Sequence, residues 1–203
     1  MTTKAEAEKV RWDQVPVPHT TVSVYEALHR RRMAWKFKDT AVPRAALERM
    51  LAAAIWAPNH HLTEPWRFYI MEKNSPLRRK LAQVAYDGML AQLGNERRAE
   101  TYRREVLDPP VLAYTCYMDG KDEQETRENY AATVCAMYAM GLAGHAEGLS
   151  VTFETGGVTK VPGLQQALGA EPGANILATL SIGFPDEASG SSRTPVGRFV
   201  HWG

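Results

Sequence analysis

Apolar side chains recur at helical spacing in several stretches of the chain. In residues 20–32 they are spaced as on one face of a helix, with Ser23 or Thr20 in position to cap its start. The fixed backbone angle of Pro43 suits a first helical turn, so a second helix is predicted from Pro43 to about Trp56. The same spacing predicts further helices over residues 123–148, over residues 161–168 and from Pro76 onward.

Short apolar runs rich in β-branched and aromatic residues lie between these helices. They favour buried strands over residues 66–71, 111–118 and 175–183, with a short strand or turn over residues 149–155. No turn dipeptide such as Asn-Gly joins adjacent runs into a hairpin. This order predicts a sheet with helical layers and argues against an all-α or all-β fold. The highly charged residues 92–105 fit an exposed helix or a mobile lid.

The size and charge of the chain restrict its class. Its 203 residues suffice for one domain, and residues 1–19 are predicted to be an N-terminal extension without the apolar segment of a secretory signal. A formal net charge of +1 predicts no nucleic-acid partner. The longest apolar run, residues 131–143, is too short to cross a bilayer, so no membrane partner is expected. Cys116 and Cys135 lack the spacing of a disulfide framework or zinc site, which fits a cytoplasmic protein.

The sequence lacks the motifs of several common catalytic sites. It contains no Gly-x-Ser-x-Gly elbow, no phosphate-binding P-loop, no His-Glu-x-x-His zinc motif and no Gly-x-Gly-x-x-Gly after a strand. Either the protein performs no chemistry, or a bound cofactor performs it.

The stretch RRRMAWKF, residues 30–37, concentrates positive charge at the predicted end of the first helix. Arg31 and Arg32 could pair with a phosphate through parallel hydrogen bonds. Cations at a helix C-terminus also complement the helix dipole without any ligand, and the stretch taken alone favours that simpler interpretation.

Two further stretches combine polar side chains with accessible backbone. In APNHHLTEPWRF, residues 57–68, the neighbouring His60 and His61 are expected to point apart, so no metal site is predicted. That loop is expected to present one imidazole and one carboxylate. In VTFETGG, residues 151–157, a strand stops at a glycine pair, which exposes backbone N–H groups and admits a planar ligand. A plain turn is the alternative.

Taken in order, these stretches resemble the motifs of the FMN-dependent nitroreductase family. Its RRSxRxF-like signature, APSxxNxQPWxF-like loop, GLG-containing helix end and PRxPLxxVVHW-like tail correspond here to RRMAWKF, APNHHLTEPWRF, EGLSVTFETGG and SSRTPVGRFVHW. The resemblance implies an α+β fold for residues 20–203, with a mixed central sheet flanked by helices. It also implies an interlocked homodimer whose C-terminal tail docks on the partner, with FMN bound at the subunit interface.

The resemblance assigns cationic residues to the anionic part of the flavin. It places Arg31, Arg32 and Met33 near the FMN phosphate, the ribityl chain or the pyrimidine edge, and it places Arg193 of the tail at the phosphate. Met33 stands where the family has serine and Trp35 where it has a second arginine. A contact from Met33 would therefore be apolar or made through the backbone.

Loop positions that reach the flavin in smaller relatives correspond to Trp56 and His60. Leu62 and Glu64 replace the asparagine and glutamine of the family loop, which removes an amide from the expected flavin contacts.

The turn beside the isoalloxazine ring corresponds to Phe153, Glu154 and Thr155, where a backbone N–H could bind flavin N5 or O4. The implied activity is an NAD(P)H oxidoreductase working by ping-pong hydride transfer through flavin N5. NADH or NADPH would be the donor, and a nitroaromatic, quinone or similar flat aromatic electrophile the acceptor. Because the flavin performs the chemistry, no protein residue is assigned as catalytic. Residues 88–105 are the predicted variable cover of the pocket.

Two alternatives differ from this activity. One is an FMN-dependent oxidase or dehydrogenase of another small substrate, and the other is a flavin-binding protein without turnover. The departures at Met33, Trp35 and Leu62 motivate the second.

Overall fold

The computed structural model describes residues 10–187 and 190–203. Residues 1–9 of the predicted N-terminal extension and the first two residues of the predicted tail lie outside the described part. Six α-helices are present in the described residues: α1 Val24–Arg30, α2 Arg44–Ala54, α3 Pro76–Leu93, α4 Glu96–Leu107, α5 Glu123–Ala146 and α6 Leu164–Leu168. The four strands described are β1 Trp66–Glu72, β2 Val111–Met118, β3 Ser150–Glu154 and β4 Ala174–Gly183.

The strands form one sheet in the order β1-β2-β4-β3. The α+β architecture with a central sheet flanked by helices is confirmed. All three pairings among the described strands are antiparallel, so the prediction of a mixed sheet is wrong for this part of the chain. The reason lies in the connections. α3 and α4 return the chain to the end of the sheet where β1 stopped, so that Glu72 pairs with Val111. β2 and β3 run in the same direction, but β4 lies between them and runs against both.

The two faces of the sheet carry separate apolar cores. On one face, α2 and the long α5 pack over β2, β3 and β4 through residues such as Met50, Met140 and Val151. On the other face, α3, α4 and α6 bury a second cluster that includes Leu81 and Leu112. The small residues of α5 let it approach the sheet closely, as predicted: a Cβ on Gly144 would lie 2.9 Å from Val151 Cγ2 of β3.

The first helix is shorter than predicted. Ser23 caps α1 by accepting a hydrogen bond from the Glu26 N–H at 3.1 Å, as expected, but the helix ends at Arg30 rather than continuing to Arg32. At Arg31 the backbone turns to an extended conformation while its N–H still closes the last helical bond, to Ala27. The side chains of Arg31 and Arg32 are thereby set on a connecting segment rather than on the helix.

The charged stretch over residues 92–105 is helical. α3 stops at Leu93, Gly94 adopts a left-handed conformation with a φ of 61°, and the Asn95 side chain caps α4 by accepting from the Arg98 N–H at 3.0 Å. α4 is anchored by the buried Ala99 and Val106. Of the two alternatives predicted for residues 92–105, an exposed helix or a mobile lid, the structure shows the helix.

A buried arginine holds the connection between α4 and β2. Arg78 is fully buried, and its guanidinium donates to the carbonyl of Val106 at 2.6 Å, to that of Pro110 at 3.4 Å and to that of Pro109. Burial lowers the pKa of Arg78 to about 10, so the group stays charged at neutral pH. Its N–H groups therefore satisfy carbonyl oxygens that would otherwise be buried without a hydrogen-bond donor.

The C-terminal tail leaves large apolar side chains in solvent. Val196, Phe199 and Trp202 are 74%, 68% and 93% exposed in the single chain. Among the residues that the structure describes, no helix combines the length and apolar character that crossing a bilayer requires.

Candidate functional site

The segment that follows α1 is fastened to the edge strand β3 by hydroxyl groups. The Ala34 N–H donates to Ser150 Oγ at 2.9 Å, and Ser150 Oγ donates to the carbonyl of Arg32 at 3.1 Å. Thr152 Oγ1 donates to the carbonyl of Ala34 at 2.6 Å. Residues two apart on a strand share one face, so Ser150 and Thr152 both bind the segment over residues 32–34. These hydrogen bonds fix the position of Arg31, which immediately precedes that segment.

Arg31 carries a guanidinium whose hydrogen-bonding capacity is unused. Its Cζ lies 5.6 Å from the ring centroid of Phe153 and 5.8 Å from that of Tyr138, so the cation is held over two aromatic rings. Its Nε and Nη1 atoms are buried, yet they have no hydrogen-bond partner within the described residues. Leaving charged donors unpaired in this way is costly, so the geometry indicates a place for an anionic acceptor.

Gly141 of α5 makes this arrangement possible. A Cβ at this position would lie 2.9 Å from Phe153 Cζ and 3.4 Å from Arg31 Cδ. Any larger residue would push the Phe153 ring or the Arg31 stem away from the helix.

An apolar cavity of about 460 Å³ continues from this point along α5. Trp56, just after α2, and Tyr138 both line it, together with Val134 and Cys135. Trp56 is 45% exposed there, so its indole is accessible rather than part of the core. Tyr138 connects the cavity to Arg31, which brings Trp56, Arg31 and Phe153 to one face of α5.

The loop over residues 59–64 lies nearer the start of α5. His60 Nδ1 is 2.7 Å from Glu128 Oε2, and this hydrogen bond lowers the pKa of Glu128. The expectation that His60 and His61 point apart is wrong: their ring centroids are 3.8 Å apart. The reason is backbone conformation, because His61 has a φ of 58° and Leu62 a φ of 52°, in the left-handed region that L residues seldom adopt.

Arg32 and Met33 are turned away from Arg31. Arg32 Nη1 donates to the carbonyls of His29 and Arg31, both at 2.8 Å, and so completes the end of α1. With Met33 it lines a separate cavity of about 270 Å³ that includes His145. For Arg32 the simpler interpretation, a cation at a helix C-terminus, describes what the single chain shows.

Glu154 faces the opposite side of the sheet from Phe153, as consecutive strand residues must. It lines a cavity of about 440 Å³ with Trp35, Arg104 and Glu105. Burial raises the pKa of Glu154, and burial with a smaller effect of Glu154 raises the pKa of Glu105 to about 7.

The turn after β3 leaves backbone donors available. Thr155 is exposed, and among the described residues no hydrogen bond is donated by the N–H groups of Thr155 or Gly156. Tyr102 of α4 packs against this turn, since a Cβ on Gly157 would lie 2.6 Å from Tyr102 Oη.

Arg193 is exposed in the tail, and its one hydrogen bond within the described residues is donated to the carbonyl of its neighbour Ser192, at 2.8 Å. The single chain therefore does not bring it to Arg31. Sequence reasoning also missed Tyr138, Gly141 and Glu128. The spacing of Tyr138 and Gly141, three residues apart on one helix face, is the signal that could have identified the first two.

The sequence matches a known protein family over most of its length. The family model described as "Nitroreductase family" matches residues 28–184. YfhC of Bacillus subtilis (strain 168), named as a candidate NAD(P)H nitroreductase, is 25% identical over 173 residues, which cover 84% of this chain and 89% of YfhC.

Two solved structures share the fold. A nitroreductase-like family protein from Bacillus cereus superposes with a TM-score of 0.81 at 26% identity, over 92% of this chain and 98% of its own. A candidate nitroreductase from Desulfovibrio desulfuricans, solved in complex with FMN, gives a TM-score of 0.70 at 24% identity, over 87% of this chain and 94% of its own.

Proposed function

Because this chain belongs to the nitroreductase family, we propose that it is an FMN-dependent NAD(P)H oxidoreductase that reduces flat aromatic electrophiles such as nitroaromatics or quinones. The observation that carries the proposal is Arg31, whose buried Nε and Nη1 lack partners in the described chain. Its Cζ lies 5.8 Å from the ring of Tyr138, which lines the apolar cavity along α5. The FMN-bound Desulfovibrio relative and the NAD(P)H named for YfhC support the choice of cofactor and donor.

The residues present fit this group. The phosphate needs charge-assisted donors, which Arg31 supplies, and a planar ring system needs apolar surfaces, which Trp56, Tyr138 and Phe153 supply. The free N–H groups of Thr155 and Gly156 suit the polar edge of a flavin ring.

Bound FMN would supply the redox chemistry, namely hydride transfer between the nicotinamide donor and the acceptor. The role of the protein itself is to bind and orient the cofactor. Ser150 and Thr152 hold residues 32–34 in place, Arg31 neutralises the anion, and the β3 turn directs its N–H donors. No side chain is required to move a proton, so no residue is assigned as a catalytic acid or base.

We further propose that the working unit is a cytoplasmic homodimer with its tails exchanged. Exposed apolar side chains on α1, on α5 and in the tail, which a second copy would cover, support this. They include Tyr25, Tyr130, Val134, Phe199 and Trp202. Docking of the tail on the partner would bring Arg193 to the phosphate. Arg32, Met33, His60 and Glu154 lie away from Arg31 in the single chain, and we propose that they make the outer FMN contacts across the subunit interface of the dimer. The free thiols Cys116 and Cys135 suit a reducing compartment.

The absorbance spectrum of the purified protein tests the cofactor. A yellow protein that releases FMN on denaturation supports the proposal, and a colourless protein that does not take up added FMN contradicts it. Anaerobic addition of NADH or NADPH then tests the reaction. Rapid bleaching of the bound flavin, followed by reoxidation with a quinone, is expected. A flavin that stays oxidised would favour a flavin-binding protein, and one bleached only by a different small substrate would favour an oxidase or dehydrogenase.

A further inference from the structure

Three side chains with metal-binding atoms converge where the loop over residues 59–64 meets α5. The ligand atoms of His60, His61 and Glu128 all lie within 4.8 Å of one another. The His60 and His61 rings are tilted by 34° with centroids 3.8 Å apart, and His60 Nδ1 lies 2.7 Å from Glu128 Oε2.

The local backbone brings these groups together. Neighbouring residues in an extended chain direct their side chains to opposite sides. Here His61 and Leu62 adopt left-handed conformations with φ of 58° and 52°, and this turns the His61 ring towards that of His60. Conformations of this kind cost roughly 1–3 kcal/mol each for non-glycine residues. The structure thus holds two imidazoles and one carboxylate together in a conformation that the local sequence does not favour.

We propose that His60, His61 and Glu128 bind a divalent transition-metal ion of the Zn²⁺ class. Imidazole nitrogen and carboxylate oxygen are ligands that Zn²⁺ accepts readily, whereas Mg²⁺ requires mostly oxygen ligands. Three protein ligands leave a fourth position for water, the pattern of an open zinc site.

Only small movements would complete the coordination. Ligand atoms about 2.05 Å from a tetrahedral ion are separated from one another by about 3.3 Å. His60 Nδ1 and Glu128 Oε2 would move slightly apart from their present 2.7 Å, and a His61 ring nitrogen lies within 4.8 Å of the other two ligand atoms. The His60 side chain is 61% exposed, so it has room to make this adjustment.

The ion would join the loop over residues 59–64 to α5. At present the loop meets α5 through the His60–Glu128 hydrogen bond and through Thr63 Oγ1, which donates to Asn129 Oδ1 at 2.7 Å. A metal bridge would add ligand bonds at the point where the backbone is strained. The inference shares His60 with the flavin site proposed above, but His61 and Glu128 are not assigned to that site. Zinc binding can therefore fail or succeed separately from FMN binding.

Zinc titration of the tag-free protein, purified with whatever cofactor it retains, tests the site. We expect one Zn²⁺ per chain by isothermal titration calorimetry and by metal analysis after dialysis, with Mg²⁺ giving no saturable heat. Zn²⁺ should also raise the melting temperature.

Two variants report on the ligands. His61→Gly removes an imidazole and suits the left-handed backbone, so it should fold at least as well as the wild type. Glu128→Gln removes the carboxylate at nearly constant size. Each should weaken zinc binding at least ten-fold and abolish the thermal shift. His29→Ala, which removes an exposed histidine on α1, should leave binding unchanged.

Absence of saturable zinc binding, or equal affinity in His61→Gly, Glu128→Gln and wild type, would overturn the proposal. The three residues would then form only a hydrogen-bonded surface cluster.

Discussion

The guanidinium carbon of Arg31 lies 5.6 Å from the centroid of the Phe153 ring, and two nitrogens of that guanidinium are buried without a partner in the described chain. The ring holds the cation in place but satisfies none of its N–H groups. An anionic ligand would gain fully from these donors, because their water has already been removed.

Arg31→Ala should therefore weaken FMN binding roughly 10- to 100-fold, the range expected for losing one or two charge-assisted hydrogen bonds. Fluorescence titration of the apoprotein with FMN measures this. Arg30→Ala, at an exposed residue whose guanidinium pairs with Glu26 at 3.2 Å, is the matched control and should bind FMN normally. Equal FMN affinity in both variants would return Arg31 to a structural role.

Arg32→Ala separates the two neighbouring arginines. Arg32 Nη1 donates to the carbonyls of His29 and Arg31, and Arg32→Ala would remove both hydrogen bonds. The substitution should therefore lower the free energy of unfolding by roughly 1 kcal/mol. FMN affinity should change much less than in Arg31→Ala. A larger loss of FMN affinity in Arg32→Ala would show that its side chain reorients towards the ligand.

Gly141→Ala should be destabilising although alanine is the better helix former. The helical preference contributes about 1 kcal/mol in favour of alanine, whereas a Cβ 2.9 Å from Phe153 Cζ costs about 1–3 kcal/mol. The net effect is a melting temperature lower by a few degrees. In a Phe153→Leu background the clash disappears, so the same change should be neutral or stabilising there. Equal effects in both backgrounds would contradict the predicted contact.

The pKa of about 7 for Glu105 makes stability depend on pH. In the unfolded chain this carboxyl ionises near pH 4.5, so between about pH 4.5 and 7 the folded state binds more protons and stability falls as pH rises. Glu105→Gln should remove that loss. Since the side chain is only half-buried, we expect a discounted gain of about 1 kcal/mol at pH 8, or roughly 2–4 °C in melting temperature. At pH 4 the variant and the wild type should have the same melting temperature. A gain of the same size at pH 4 would rule out ionisation of Glu105 as the cause of the stabilisation.

Arg78→Met should destabilise the fold strongly, because it leaves the carbonyls of Val106 and Pro109 buried without donors. A loss of about 2–4 kcal/mol in the free energy of unfolding is expected from urea titration. Arg79→Met is the neighbouring control, since the exposed guanidinium of Arg79 donates to the carbonyl of Asn74 at 2.9 Å and to no other group that the structure describes. It should stay within about 0.5 kcal/mol of wild type.

Exchange of residues 88–105 for the corresponding segment of a relative should change acceptor preference and leave FMN affinity unaltered. The contact between Tyr102 and the Gly157 turn places α4 beside the free N–H groups of Thr155 and Gly156. Comparing kcat/KM for a nitroaromatic and a quinone measures the effect. An unchanged ratio of the two values would exclude these residues as the cover of the pocket.

Local patterns predicted most of the elements. Ser23, Pro43 and the apolar periodicity of α5 identified helices correctly, and the β-rich runs identified β1, β2 and β4. For β3 the prediction left a short strand and a turn open, and the structure shows a strand. Antiparallel pairing was not predictable in this way, because it depends on β4 lying between β2 and β3, which no local pattern encodes.

The candidate site was predictable in part. Arg31, Trp56 and Phe153 were found through ordered motifs, and the structure brings them to one face of α5. The convergence of His60 and His61 was missed because it depends on left-handed backbone angles that side-chain chemistry alone does not indicate. The pairing of His60 with Glu128 was missed because 68 residues separate them in sequence.

The central position of β4 has a consequence for how the protein is made. Residues 174–183 pair with β2 on one side and β3 on the other. Until these residues leave the ribosome, β2 is paired only with β1, and β3 has no partner among the described strands. During synthesis the β2 and β3 edges stay unpaired and open to other chains, a state in which incomplete sheets aggregate. Completion of the sheet thus waits for β4, the last of the described strands to be synthesised.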